Sequence, residues 1–232
     1  MIYIINLFIA IVSCVFVIRC AQYKNVIAQP LTFPQIFNND MTSDEEQRTL
    51  FKGKRLIVLI ILMLGTTFVA GLLVYSNSAN WLNYIKLMSL FAMVQAAAII
   101  DLKLKIIPNR IILIGLSLRL IFYILEFTIL RKEILKILLN DLIGFAIGFG
   151  ILFAVALITS GGIGFGDAKL FAVIGLTSGA ICTYATLLIS MVVSTIVSVT
   201  LLLLKKKSRK DTISFGPSIA AGYFITLILG SY

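Results

Sequence analysis

Apolar runs of about 20 residues alternate along this chain with short polar and charged clumps, and about 20 apolar residues suffice to cross a bilayer as a helix. The first run covers 2–18 and ends at Arg19. Others cover 56–75, 82–100, 111–127, 142–159 and 181–204, and the last covers 215–229. An eighth, shorter piece at 170–176 runs up to Ser178-Gly179 and fits a half-span or a tilted helix. Lipid cannot satisfy exposed backbone groups, so the spans must be helical. The pattern predicts an all-α, polytopic membrane helix bundle of about eight transmembrane segments, one of them short. Between the spans lie a polar stretch at 19–55, an uncharged turn at 76–80 and a charged, proline-broken connector at 101–110. A mixed-charge segment at 131–136 reads as an interfacial helix, a glycine-dense loop occupies 160–169, and a basic cluster occupies 205–210.

Composition agrees: 60% of the residues are hydrophobic and 13% charged, where a soluble domain carries about a quarter charged residues. A net charge of +10 would point to nucleic acid in a soluble chain. In a membrane chain, Lys and Arg instead mark cytoplasmic loops and face anionic lipid, so the expected partner is membrane lipid and not nucleic acid. With eight crossings, the basic segments 19–55, 103–110 and 205–210 all fall on the cytoplasmic side, together with the glycine loop. Both termini and 131–136 then fall outside, with Glu126 and Glu133 offsetting the charge of that segment. The first run lacks a basic leader and a small-residue cleavage site, so it reads as a retained helix.

The chain has no histidine, which excludes Ser-His and Cys-His nucleophiles and His-ligated metals. Cys14, Cys20 and Cys182 form no CxxC pair and read as small apolar residues, so no metal site is expected. Of the ten acidic residues, Asp40, Asp44, Glu45 and Glu46 lie in the polar stretch, Asp211 lies beside the lysine cluster, and Asp141 reads as a helix-start acid. Asp101 and Asp167 differ, because each sits at the end of an apolar helix on the same predicted membrane edge. Ionisable residues there are costly and point to function. Two carboxylates sharing a site cannot both ionise easily. One acts as a base toward water while the other, protonated, polarises a carbonyl, a chemistry that needs no histidine, cysteine or metal. The competing reading makes both aspartates helix caps. Gly161, Gly162, Gly164 and Gly166 crowd the approach to Asp167 and leave room for an extended substrate chain. A phosphate-cradling loop is the alternative there, but GxxxxGK[ST] is absent.

Three segments are similar to one known family. Gly164-Phe165-Gly166-Asp167-Ala168-Lys169-Leu170 resembles the GxGDxKL motif of type IV prepilin peptidases. Asp101 followed by Ile107-Pro108-Asn109 resembles the first-aspartate motif of that family. Ser214-Phe215-Gly216-Pro217-Ser218-Ile219-Ala220 is similar to its PFGPxLA element, with Ser214 at the first proline. The resemblance implies an aspartic-type endopeptidase with Asp101 and Asp167 as the catalytic pair. Gly164, Phe165, Gly166, Lys169, Pro108 and Asn109 would line the substrate path. The implied substrates are type IV prepilins or pseudopilins, cut after a short basic leader at the cytoplasmic face of a bacterial inner membrane.

On that reading, 1–55 is a first transmembrane helix plus a short cytoplasmic loop, and 56–232 is the catalytic domain. Many relatives carry two CxxC pairs in that loop and also methylate the product; here the loop holds only Cys20. Proteolysis needs no cofactor, and S-adenosylmethionine would enter only with methyltransferase activity. Lys169 reads either as a lipid-headgroup contact or as a charge tuning Asp167. A transporter or channel using the two aspartates as ion or proton sites is the competing function, and no internal repeat accompanies it.

Overall fold

A computed structural model of the protein describes residues 11, 15, 54–77, 80–158, 164–204 and 213–230, without side-chain detail at 54–60, 76–77 and 103–104. Most of the 2–18 run and of the 19–55 stretch lies outside these residues, as do 160–163 of the glycine loop and the 205–210 cluster. Residues 54–228 supply six helices in chain order: α1 (Lys54–Asn77), α2 (Trp81–Leu104), α3 (Asn109–Ile129), α4 (Ile134–Ile158), α5 (Phe165–Leu203) and α6 (Gly216–Ile228). No strand occurs among the described residues. Among the described residues, four helices are long and apolar enough to cross a membrane: α2, α3, α4 and α5. Ile61–Tyr75 and Gly216–Ile228 are shorter apolar helices.

The α2 helix is the hub. Its apolar window is 83% buried, whereas those of α3, α4 and α5 are 17–33% buried. Those three turn large apolar side chains such as Leu120, Ile124, Leu142, Ile181 and Val192 outward. That distribution suits helices bathed in lipid around a protein-enclosed centre. Lipid tails are as apolar as leucine, so helix association rests on close packing and polar contacts between helices. The core joins Leu87, Met88, Phe91 and Val94 of α2 to Phe171 and Ile174 of α5 and to Ile219 and Tyr223 of α6. Phe91 stacks on Phe224 with centroids 5.8 Å apart. On the other side of α2, the Gln95 amide donates to the Thr66 hydroxyl at 2.8 Å, which ties α1 in.

The tightest contact is between α4 and α5. Gly144 and Gly175 meet backbone to backbone, and a Cβ on Gly144 would lie 2.6 Å from the Gly175 carbonyl oxygen. Gly148 meets the Phe171 carbonyl in the same way. This small-residue stripe lets the helices approach more closely than side chains would permit.

Two sequence expectations need correction. The segment at 131–136 is not a separate interfacial helix: 131–133 form a turn, and α4 begins at Ile134, so that span starts eight residues before 142. The short piece at 170–176 does form a helical limb of its own, which starts at Phe165 and breaks at Gly179, and the limb beyond the break carries the span from 181, so α5 is two helices joined at a kink. Gly179 has φ 78° and ψ −177°, backbone angles that only glycine adopts readily. The side-chain oxygen of Asn140 accepts the Ala180 N–H freed there at 3.2 Å. Asp141 is not a helix-start acid but a buried residue within α4.

Asp141 belongs to a buried ionic cluster that joins three helices. Lys86 of α2 pairs with Glu126 of α3 at 2.9 Å, and Arg119 of α3 pairs with Glu126 at 2.9 Å and also with Asp141. The Tyr123 hydroxyl donates to Asp141 at 3.0 Å, and the Arg119 guanidinium lies 3.7 Å over the Tyr123 ring. Glu126 is therefore not a solvated flank of a loop; like Arg119 and Asp141, it is 2% exposed. Two cations balance two anions, which makes burial of all four tolerable in an apolar bundle.

Candidate active site

The second polar centre forms where the connectors between helices converge. Asp101 lies in the last turns of α2, which runs on to Leu104, so it is a buried helical residue rather than the start of the connector. The helix ends through Lys105, whose backbone takes the left-handed form (φ 52°) and whose N–H donates to the Asp101 carbonyl at 2.8 Å. Pro108 then caps the N-terminus of α3, and Asn109 is the first residue of that helix. Proline suits this place because it has no N–H to leave unpaired.

Asp167 reaches the same end from α5. Gly164 is the N-cap of α5, and Asp167, in its first turn, donates its N–H to the Gly164 carbonyl at 3.0 Å. Asp101 lies within α2 and caps neither of its ends, whereas the Asp167 carboxyl accepts from the backbone of Gly164, the N-cap residue, and so does help to cap α5. Asp101 is 5% exposed and Asp167 half-buried, and the two carboxyl groups are close enough to interact electrostatically. Gly166 packs against Ile107: a Cβ there would lie 3.1 Å from the Cβ of Ile107. The first-aspartate connector and the glycine element are thus in direct contact.

The other expected site residues divide. The Lys169 amine donates to the Asn109 side-chain oxygen at 3.0 Å, bracing α3 against α5 on the exposed rim. Its hydrogen-bonding partner is therefore Asn109 rather than Asp167. Phe165 is exposed and meets Phe153 of α4 edge-on, with ring centroids 6.0 Å apart. It flanks the centre from the α4 side.

The late Ser-Phe-Gly-Pro element supplies contacts that the sequence alone did not assign. The Ser214 hydroxyl donates to Oδ2 of Asp101 at 2.5 Å, and the Gly216 N–H donates to the same oxygen at 2.7 Å. Gly216 opens α6, so a helix N-terminus faces a carboxylate, which its dipole favours. A Cβ on Gly216 would lie 2.8 Å from both Cβ and Oδ2 of Asp101, so only glycine permits this approach. Phe215 stacks on Phe171 of α5 at 6.5 Å, carrying the element across to the helix that bears Asp167. Three sequence-distant motifs therefore meet at one end of the bundle.

Residues 88–199 match the Type IV leader peptidase family. The matched stretch holds both aspartate segments and stops before the Ser-Phe-Gly-Pro element. The chain is also 34% identical over 135 residues to the prepilin leader peptidase/N-methyltransferase of Bacillus subtilis (strain 168). That alignment covers 57% of this chain and 51% of the relative, so the chain spans about half the length of the curated relative it matches. Both comparisons point to the family that the motifs resemble; the family match takes in the two aspartate motifs and not the third. No solved structure matches the chain.

Proposed function

We propose that this chain is a membrane aspartic-type endopeptidase that removes the short basic leader from type IV prepilins or pseudopilins. The observation that carries the reading is the interacting pair Asp101 and Asp167, brought together from α2 and α5 beside the glycine-rich element. Two carboxylates that share a site hold one proton between them. The ionised one takes a proton from water, and the water oxygen attacks the scissile carbonyl carbon. The protonated one gives its proton to the carbonyl oxygen, forming a tetrahedral diol. As the diol collapses, the first carboxyl protonates the leaving amine, the C–N bond breaks, and the second recovers its proton from a diol hydroxyl. The pair ends with the single proton it began with.

Gly164 and Gly166 leave space beside Asp167 for an extended peptide, and Phe165 with the Asn109–Lys169 brace forms the rim of the path behind Pro108. The catalytic domain covers 56–232, within a bacterial inner-membrane protein of about eight spans whose aspartates lie near the cytoplasmic face. The basic segments at 103–110 and 205–210 support that orientation. The relative in Bacillus subtilis is also described as an N-methyltransferase. In this chain the 19–55 stretch has no CxxC pair, and peptide cleavage alone accounts for the site.

The deciding experiment is co-expression with a prepilin in a host lacking its own leader peptidase, followed by intact mass of the pilin. A loss equal to the leader is expected, and an additional methyl mass would add S-adenosylmethionine to the chemistry. An unprocessed pilin would refute the peptidase and favour a transporter using the same aspartates.

A further inference from the structure

The charges of the Lys86 cluster cancel, but its hydrogen bonds do not. A guanidinium carries N–H donors on all three nitrogens. Arg119 meets both of its acids through Nη2, and among the described residues neither Nε nor Nη1 has an acceptor. The Tyr123 ring faces the guanidinium carbon at 3.7 Å and offers these nitrogens no lone pair. Arg119 is buried, and buried donors without partners are costly.

Arg119 also lines a cavity between α2, α3 and α5, together with Ser89 and Met93 of α2, Phe122 of α3 and Thr177 of α5. The cavity leaves about 10 Å³ for the centre of a water-sized molecule, close to what a single water needs. Its two hydroxyls have spent their protons on their own helices. Ser89 donates to the Lys86 carbonyl at 2.8 Å and Thr177 to the Val173 carbonyl at 2.8 Å, so each oxygen presents lone pairs to the cavity wall. Donors on one wall and acceptors on another call for a group that both accepts and donates. An anion only accepts, and it would add net charge to two cations and two anions that already balance. A larger polar molecule exceeds the space.

We propose that this cavity is an internal water site, in which the water accepts from Arg119 and donates to Ser89 and Thr177. The ion pairs join α2, α3 and α4. Through Thr177, which stands just before the kink at Gly179, the water extends that polar network to α5. In an apolar bundle such a tie helps to hold the limb that carries Asp167. Occupancy of the cavity does not depend on peptide cleavage.

X-ray hydroxyl-radical footprinting of the purified full chain in detergent, read by mass spectrometry, tests the site. Radiolysis of a bound water oxidises the side chains that touch it, even where bulk water is shut out. Met93 lines the cavity, whereas Met63 and Met88 are buried elsewhere in the core and serve as references. Met93 is expected to oxidise severalfold faster than either. In Ser89→Ala combined with Thr177→Val, which removes both acceptors and nearly keeps the shape of the wall, the Met93 rate falls severalfold while the references hold. A parent in which Met93 reacts no faster than Met63 and Met88 would overturn the proposal, and so would an unchanged Met93 rate in the folded double variant. If the double variant does not fold, the comparison within the parent decides.

Discussion

The α2 helix carries a buried ionic centre near each end. Lys86 and Asp101 are about 22 Å apart along it at 1.5 Å per residue. At the Lys86 end, every charge has an opposite partner: Lys86 and Arg119 answer Glu126 and Asp141. At the Asp101 end, two acids meet, and the hydrogen bonds to Asp101 come from a neutral hydroxyl and a backbone N–H. Charge that is internally balanced joins helices. Like charge brought together on purpose stores a proton and can move it. The two centres therefore separate stability from chemistry, and variants at each end should affect different measurements.

The largest expected effect is at the acidic end. Asp101→Asn and Asp167→Asn should each lower prepilin cleavage by at least about a thousandfold, as losing one member of a catalytic unit does. Thermal unfolding in detergent should stay close to that of the parent, because asparagine keeps the size of the side chain and an oxygen that can still accept from Ser214 or Gly216. Robust cleavage by either variant would end the two-aspartate reading.

At the balanced end, Arg119→Met strands Asp141 and should cost about 3–5 kcal/mol, read as a fall in unfolding temperature. Cleavage per folded molecule should stay within about twofold, since distant sites add independently. Neutralising Asp141 as well, with Asn, should return part of the lost stability, because Lys86 and Glu126 then remain paired. A large loss of activity in folded Arg119→Met would show that the two centres communicate.

Gly216→Ala gives the smallest of these effects and tests the seam between helices α2 and α6. The added methyl meets Asp101 and should push α6 away, lowering cleavage about ten- to a hundredfold through misplacement of the carboxylate. Unchanged cleavage would mean that the α6 contact does not orient Asp101.

The two ends also differed in how far they could be read from sequence. The acidic end was legible because its residues lie in short local patterns: Asp101 before Ile-Pro-Asn, and Asp167 inside a glycine run. Ser214 and Gly216 stood in a recognisable segment, yet their partner lies more than a hundred residues away, and no local pattern names it. The balanced end was missed. Lys86 and Arg119 sit inside apolar spans, a signal that was available, but Glu126 and Asp141 lie near the ends of the expected spans and looked like surface charges. Only packing of α2, α3 and α4 shows that the four belong together. The start of α4 was misjudged for a related reason: its first turns mix Lys136 with leucines, and hydropathy alone places the boundary after the last polar residue. The Gly144, Gly148 and Gly175 contacts were equally invisible, because a glycine that admits a neighbouring helix looks like any other until the neighbour is known.

The bend at Gly179 also bears on the membrane itself. Unbent, the 39 residues of α5 would extend about 58 Å, nearly twice the hydrocarbon thickness of a bilayer. The bend divides that length into limbs of about 21 and 36 Å. A limb of the first length crossing the hydrocarbon falls short by about 9 Å, and the lipid must thin beside it. Asp167 stands at the open tip of that limb. Were the limb to cross the hydrocarbon, the thinned lipid would lie beside that acid, and shorter acyl chains would lower the cost of the thinning.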